Sequence, residues 1–250
     1  MISGCAFPLK PQTSDSEANM CGISGLIQYN GDCRGIEQHI RLMTGTLVHR
    51  GPDDSGVWID KKVGVAFAHR RLSVLDLSPA GHQPMESCCG RYVIVFNGEI
   101  YNHQTLRSEL EHTGSAPPWR GHSDTETLLA AFACWGVNRT LEKSAGMFAL
   151  ALWDRQDRSL VLARDRLGEK PLYYGHQGNM FLFGSELKTV VAHPDFTAEI
   201  DRHALALFMR FAYVPNPYSI YRGIYKLPPG SYLRISYPFS GNDFSKGQAS

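Results

Sequence analysis

The chain has 250 residues, of which 43% are hydrophobic and 20% are charged, and its formal net charge is +1. This size and composition fit a globular protein with one large domain, or with one domain and an extension. A charge so close to zero gives no general attraction to nucleic acid or to an anionic membrane, and no apolar run approaches the ~18 residues of a spanning helix. The six cysteines include no Cys-x-x-Cys pair, so we expect neither a disulfide framework nor a metal site.

The first segment, residues 1–20, is predicted to be a leader or propeptide that is disordered or removed. It lacks the basic start of a secretory signal, and Gly4 and Pro8 interrupt its apolar stretch. Residues 11–19 are polar, which is typical of disorder. A misplaced start codon, a removable propeptide and an expression leader would each explain this segment.

The first half of the remaining chain mixes predicted strands and helices. Residues 21–29 are typical of a strand, and apolar residues at helical spacing predict a helix from Ile36 to Leu47, ending near Gly51 and Pro52. Further strands are predicted at 57–59 and 92–96, with strand residues also in 63–75, and the strand at 92–96 leads into a turn at 97–99.

Two helices are predicted next, one around 106–110 and one after Ser123. Ser123 is a candidate N-cap, and Glu126 three residues later completes the sequence pattern of a capping box. From Met147 the pattern changes to short strands at 148–153, 160–163, 172–174 and 180–183. A helix at 202–211, a proline-rich loop and a strand at 231–235 follow, and 238–250 is expected to be loose. Helices and antiparallel strands in separate runs indicate an α+β fold.

Cys21 directly follows Met20 and begins an apolar run. If processing exposed this cysteine as the N-terminus, one residue would carry both a thiol and an α-amine. The amine has an ordinary pKa of about 8, so part of it is neutral at pH 7 and can accept the thiol proton. Nucleophile and base would then lie in the same residue.

Other residues offer what such a nucleophile needs. Asn97 could provide an amide donor and Gly98 a backbone N–H for an oxyanion. Arg71 could bind a carboxylate through its planar fork, and Glu99 and Asp124 could bind an ammonium group. Each also has an ordinary role: a cysteine packs as a small apolar residue, Asn-Gly forms hairpin turns, and Asp124 suits a helix N-terminus.

The motifs identify a family more specifically than these residues do singly. In chain order they are Met-Cys-Gly-Ile at 20–23, His-Arg-Gly-Pro-Asp at 49–53, His-Arg-Arg-Leu-Ser-Val-Leu-Asp at 69–76, Asn-Gly-Glu-Ile-Tyr-Asn at 97–102, Ser-Asp-Thr-Glu at 123–126, Gly-Met-Phe-Ala at 146–149, Arg-Asp-Arg-Leu-Gly at 164–168 and Gly-Ser-Glu-Leu-Lys at 184–188. The set resembles the class II, N-terminal-nucleophile glutamine amidotransferase domain of glutamine-hydrolysing asparagine synthetases. The resemblance implies a four-layer αββα sandwich of the N-terminal-nucleophile hydrolase type.

The resemblance also implies roles. Cys21 would attack the glutamine carboxamide with its own freed α-amine as the base, and Asn97 and Gly98 would form the oxyanion hole. Glu99 and Asp124 would hold the substrate ammonium, and Arg71, with Arg70 as the alternative, would bind the α-carboxylate. The residues expected to shape the same pocket are Leu72, Ser73, Val74 and Leu75. The loop at 49–53 is expected near this pocket, without an assigned role.

The predicted organisation is an amidotransferase domain at 21–190 and a connecting segment at 191–250 toward an ATP-dependent synthetase domain. Neither a Ser-Gly-Gly-x-Asp-Ser nor a Gly-x-x-x-x-Gly-Lys loop occurs in the chain. We therefore expect a cytoplasmic glutaminase without a cofactor, with ATP and Mg²⁺ used only by a synthetase domain or chain. A homodimer is one candidate assembly. The alternatives are an amidotransferase domain serving another acceptor, and a glutamine-binding module without catalysis if Cys21 is not exposed.

Overall fold

The computed structural model describes residues 20–29, 33–73 and 78–239, and the backbone of 245–248. Residues 1–19 of the predicted leader and the pocket residues Val74 and Leu75 lie outside the described residues. The helices are α1 (Ile36–Gly45), α2 (His103–His112), α3 (Asp124–Lys143), α4 (Leu187–Val191) and α5 (Arg202–Phe211). The strands are β1 (Gly22–Gln28), β2 (Asp54–Asp60), β3 (Val65–Arg71), β4 (Met85–Glu86), β5 (Tyr92–Ile100), β6 (Gly146–Asp154), β7 (Ser159–Arg164), β8 (Tyr173–Gln177), β9 (Met180–Gly184), β10 (Ile224–Lys226), β11 (Ser231–Ser236) and β12 (Ser245–Gln248).

These strands form two six-stranded sheets. The first sheet has the order β10-β8-β9-β1-β3-β2, and the second has the order β12-β11-β7-β6-β5-β4. Every pairing is antiparallel. The strands of each sheet therefore present alternate side chains to its two faces.

Both faces of each sheet are covered. Between the sheets lies an apolar core that includes Ile23, Phe67, Val95 and Trp153. Helices α1 and α4 pack on the outer face of the first sheet, and α2 and α3 pack on the outer face of the second. The order helix, sheet, sheet, helix confirms the predicted α+β class and αββα layering. Within the described ranges, no helix has both the length and the hydropathy to cross a membrane.

The prediction of a turn at 97–99 is wrong, because β5 continues through these residues to Ile100. Strand β6 pairs along the whole segment, with Asn97 opposite Ala149 and Gly98 opposite Phe148. The Asn-Gly sequence is compatible with a strand here because β6 lies very close: a Cβ on Gly98 would collide with the Met147 carbonyl oxygen. Tertiary packing thus overrides the local turn preference.

The start of α3 follows the prediction in part. The Ser123 hydroxyl accepts a hydrogen bond from the Glu126 N–H at 3.2 Å, which is the expected N-cap. The Glu126 carboxylate instead accepts hydrogen bonds from the Arg120 and Gly121 N–H groups at 2.9 and 3.1 Å. It therefore fastens the preceding loop to the helix. Elsewhere, α1 ends at Gly45, several residues before the predicted boundary.

The segment 191–250, predicted to be a connection, contributes strands to both sheets. Strand β10 pairs with β8 in the first sheet, and β11 pairs with β7 in the second. The expectation of a loose segment at 238–250 is wrong for 245–248, where β12 pairs with the edge of β11. That edge offers backbone donors and acceptors that a polar sequence can use as well as an apolar one. The division of the chain at residue 190 stays a prediction.

Candidate active site

The alternation of side chains along each strand places predicted site residues on the face that points between the sheets. Residues an even number of positions apart share a face, and we call this their parity. Ile23, Phe67 and Val95 all point into the inter-sheet core. Cys21, two residues before Ile23, and Asn97, two residues after Val95, have the same parity as these core residues. Because side chains two apart share a face of a strand, both side chains face the layer between the sheets. Both also line one cavity.

The same rule separates the two candidate arginines. Arg71 has the parity of Phe67, whereas Arg70 has the parity of Ala66 and Ala68, which pack on the helix-covered face. Arg71 lines the cavity beside Cys21, and Arg70 is not among the lining residues. The geometry therefore favours Arg71 for contact with a ligand.

One cavity of about 260 Å³ brings most of the predicted residues together. Its lining includes the predicted residues Cys21, Arg71, Leu72, Asn97, Gly98, Glu99 and Asp124. The other lining residues are Met20, Gly81, Gln83, Phe96, Ser123, Thr125, Met147 and Lys170. Ser73 does not line the cavity; its N–H donates to the Asp53 carboxylate at 2.8 Å.

The Cys21 thiol is held against the backbone of Leu72. The Leu72 N–H donates to Cys21 Sγ at 3.4 Å, and the thiol donates to the Leu72 carbonyl at 3.5 Å. Burial raises the pKa of this thiol, while the Leu72 hydrogen bond, Arg71 and Arg50 act in the opposite direction. The thiol is thus mainly protonated in this environment, and a base is needed to activate it.

Arg50 fixes the backbone of the cysteine. Its Nε donates to the Cys21 carbonyl at 3.0 Å, and its Nη1 donates to Glu186 Oε1 at 3.1 Å. The next residue, Gly51, lies so close to the peptide between Arg70 and Arg71 that a Cβ would collide with it. Sequence analysis placed the loop at 49–53 near the pocket without assigning it a role. The contacts indicate that it positions the residue carrying the thiol.

Asn97 presents a donor that nothing else in the described part of the chain uses. The residue is 1% exposed, and its Nδ2 is buried without a hydrogen-bond partner there. A buried donor without a partner costs about 1–3 kcal/mol, so such groups call for an explanation. An acceptor bound in the cavity would satisfy this donor.

The direction of the Gly98 N–H follows from the ladder of β5 and β6. Opposite Gly98, the Phe148 N–H donates to Asp165 Oδ2 at 3.2 Å and its carbonyl accepts from the Asp165 N–H at 2.8 Å. Phe148 therefore directs its backbone groups away from β5, and the pair Gly98–Phe148 is a non-hydrogen-bonded pair. The Gly98 N–H points away from β6, on the open side of β5 that lines the cavity.

Two residues that sequence analysis missed hold β5 beside this point. The Gln83 side chain accepts from the Phe96 N–H at 2.7 Å, and His69 Nε2 donates to the Phe96 carbonyl at 3.1 Å. Burial lowers the pKa of His69 to about 3, so its ring is neutral at pH 7. His69 falls within a recognised motif, but Gln83 lies in a loop with no distinguishing pattern.

Asp124 and Glu99 are the two acidic residues among those that line the cavity. Asp124 is 5% exposed, and its Oδ2 accepts from the Ile100 N–H at 2.9 Å. Burial raises the pKa of this carboxyl group, while the Ile100 hydrogen bond and His103 lower it. A cationic group in the cavity would offset this desolvation of the carboxylate. Among the described residues, no group of three His, Cys, Asp or Glu could hold a metal ion.

For a reaction that forms an oxyanion in this cavity, replacing Asn97 with alanine should lower kcat about 10²- to 10³-fold, the usual effect of losing one oxyanion donor. The free energy of unfolding should change by no more than about 1 kcal/mol, because the lost Nδ2 has no partner to leave unpaired. Steady-state kinetics and thermal unfolding test both expectations. The matched control is Asn179→Ala in the exposed turn after β8, which should retain wild-type kcat; a kcat for Asn97→Ala within threefold of wild type would contradict the role.

Comparison with known proteins places the chain in a family. The family model described as "Glutamine amidotransferase domain" matches residues 20–240. The chain belongs to this family. "Asparagine synthetase [glutamine-hydrolyzing] 3" of Bacillus subtilis is 40% identical over 221 residues, which are 87% of this chain and 35% of the relative. A putative glutamine-hydrolysing asparagine synthetase of Methanocaldococcus jannaschii is 35% identical over 229 residues, which are 83% of this chain and 42% of the relative.

The amidotransferase domain thus spans well under half the length of these relatives. Among solved structures, the glutamine phosphoribosylpyrophosphate amidotransferase of Bacillus subtilis superposes with a TM-score of 0.67. It is 18% identical, and the match covers 92% of this chain and 49% of that chain. This likeness concerns the fold alone, and it agrees with the predicted four-layer α+β architecture.

Proposed function

We propose that this amidotransferase domain hydrolyses L-glutamine to L-glutamate and ammonia, with Cys21 as the nucleophile. The observation that carries the proposal is the single cavity in which a thiol, an unpaired amide donor, an arginine and two carboxylates converge. Each of these groups complements one part of glutamine: the carboxamide carbon, its oxygen, the α-carboxylate and the α-ammonium.

The substrate would bind by the two charged groups on its α carbon. Arg71, which now donates to the Ser78 carbonyl at 3.1 Å, can turn its planar fork to the α-carboxylate. Glu99 and Asp124 supply negative charge for the α-ammonium. These contacts would place the side-chain carboxamide at the Cys21 end of the cavity, where orientation contributes much of the rate.

The reaction then has two halves. The Cys21 α-amine takes the thiol proton as sulfur attacks the carboxamide carbon, and the oxyanion accepts hydrogen bonds from Asn97 Nδ2 and the Gly98 N–H. The α-ammonium of Cys21 then returns the proton to the departing nitrogen. The carbon–nitrogen bond breaks, ammonia leaves, and the acyl group remains on Cys21 as a thioester. Water attacks the thioester with the same amine as base, releasing glutamate and restoring the thiol.

This mechanism requires a free amine on Cys21, so the active species would begin at Cys21. In the described structure the Cys21 nitrogen is part of the peptide bond with Met20, and Met20 itself lines the cavity. Translation from Met20 with removal of that methionine, or cleavage of a propeptide, would each produce the active N-terminus.

The use of the ammonia lies outside this domain. The names of the two synthetase relatives support a synthetase domain or chain that uses this ammonia to form asparagine. The use of aspartate, ATP and Mg²⁺ by that domain, and a cytoplasmic location, stay predictions. A relative 33% identical over 223 residues, "Amidase chry2" of Gibberella zeae, has a different name, which keeps another acceptor as the second candidate. A homodimeric assembly stays a prediction.

The test is an assay of glutamate and ammonia release from L-glutamine by protein produced from Met20, after intact mass has shown Cys21 to be N-terminal. We expect the two products in equal amounts, and no release from D-glutamine or L-asparagine at the same concentration. A correctly processed protein that binds glutamine in calorimetry but releases no glutamate would contradict hydrolysis and favour the non-catalytic binding module.

A further inference from the structure

The motif at 164–168 has no role in the reaction described above. The loop that begins with this motif ends at Lys170, a basic residue that lines the same cavity as Cys21. Lys170 is 7% exposed. A buried ammonium group is costly unless it is paired or hydrogen-bonded. Its placement beside the thiol therefore calls for a physical reason.

The loop is built to hold Lys170 in place. Asp165, which is 1% exposed, accepts hydrogen bonds from the N–H groups of Leu167, Glu169 and Lys170, all at 3.0 Å. On the other side, Arg164 Nε donates to the Lys170 carbonyl at 2.7 Å. The backbone of Lys170 is thus fixed by a buried carboxylate and a guanidinium, and only its side chain reaches the cavity.

The Lys170 ammonium group contacts Met20, which the proposed active enzyme no longer contains. Lys170 Nζ donates to Met20 Sδ at 3.0 Å, and a thioether sulfur is a weak acceptor. Release of the Cys21 amine removes Met20 and with it this contact. The Lys170 ammonium then faces the space next to the new N-terminus.

We propose that Lys170 is a positioning residue for the glutaminase reaction, whose ammonium group acts through Cys21 by favouring the deprotonated nucleophile once Met20 is gone. This inference rests on the proposed function. A cation near Cys21 stabilises a thiolate and disfavours a protonated α-amine, so it shifts both groups toward the forms that react. The charged groups that act on Cys21 or on Lys170 are Arg50, Arg71, Asp124, Asp165 and Glu169.

The electrostatics of the pair agree with this geometry. Burial, followed by the charge of Arg50, lowers the pKa of Lys170, whereas the negative charges of Glu169, of Asp165 and, to a smaller extent, of a Cys21 thiolate raise it. The interaction free energy between two titrating groups is reciprocal. A Cys21 thiolate that stabilises the Lys170 ammonium is therefore stabilised by that ammonium to the same extent.

The experiment is the pH dependence of Cys21 alkylation by iodoacetamide in processed protein, followed by mass spectrometry of the N-terminal peptide. Lys170→Met removes the charge with little change in shape. It should raise the midpoint of the profile by about one pH unit and slow alkylation at pH 7 about threefold, because a more basic thiolate is also intrinsically more nucleophilic. Lys170→Arg keeps the charge and should retain the wild-type midpoint.

The matched control is Lys143→Met on α3, whose ammonium pairs with Glu109 at 2.8 Å and lies outside the cavity lining; its profile should equal wild type. A folded Lys170→Met protein with an unchanged midpoint would overturn the inference. Because alkylation needs no glutamine, the expected shift in a protein that releases no glutamate would support the inference while contradicting the proposed function.

A second measurement leaves Lys170 in place and needs no stable Lys170 variant. In protein labelled with ¹³C-lysine, the Lys170 side chain should titrate at higher pH with cysteine at position 21 than in Cys21→Ser, because serine carries no charge in this range. Equal titration in the two proteins would overturn the inference.

Discussion

Replacing Cys21 with alanine is expected to reduce glutamine hydrolysis about 10⁵- to 10⁶-fold, since loss of a covalent nucleophile removes the reaction path and not just one contact. The described residues that line the cavity include no second thiol. Their two hydroxyls are already hydrogen-bonded, Ser123 to the Glu126 N–H and Thr125 to the Gln83 and Asp124 side chains. Initial rates of glutamate release by protein produced from Met20 measure the effect.

Binding should survive this substitution. Arg71 and Asp124, which are proposed to hold the α-carboxylate and the α-ammonium of glutamine, keep their own contacts in the Cys21→Ala protein. Calorimetry should therefore give a Kd for L-glutamine within about threefold of wild type, well under 1 kcal/mol. Cys134→Ala on the exposed face of α3 is the matched control and should hydrolyse glutamine normally. Glutamate release by Cys21→Ala within about tenfold of the wild-type rate would refute the nucleophile assignment, because loss of a covalent nucleophile costs far more than that.

The second large effect concerns the residues before Cys21. Protein that retains residues 1–20 should hydrolyse glutamine at least about 10²-fold more slowly than protein beginning at Cys21, because general base catalysis contributes about 10²- to 10⁴-fold and a peptide nitrogen cannot accept a proton. The side chain of Met20 also lines the cavity and binds Lys170. Intact mass, N-terminal sequencing and activity measured on the same samples test this expectation.

A designed cleavage site separates the amine from other effects of the leader. A protease site placed before Cys21, so that cleavage leaves cysteine at the N-terminus, should convert an inactive sample into an active one. A version cleaved to leave one extra alanine before Cys21 is the matched control and should stay inactive. Full activity with residues 1–20 attached would exclude the α-amine as the base.

Much of the fold follows from local pattern. Strand β1, the buried face of α1, the Ser123 N-cap and the limits of α5 depend on side-chain periodicity and capping, which neighbouring residues decide. What the pattern missed depends on distant partners. Strand β5 extends through Asn97 and Gly98 because β6 pairs with it, and β12 forms because β11 leaves an edge available.

For the site, the sequence by itself determined the family and the identity of the reactive groups, because ordered motifs specify residue types: a cysteine after Met20, an Asn-Gly pair, an arginine and two acids. Only the tertiary structure decided which of them meet. It placed Arg71 and not Arg70 in the cavity lining, left the Asn97 amide without a partner among the described residues, and placed Lys170 against Met20, the residue before the proposed nucleophile. Distance, burial and the direction of a backbone N–H arise when two sheets pack face to face, and no local sequence pattern encodes them.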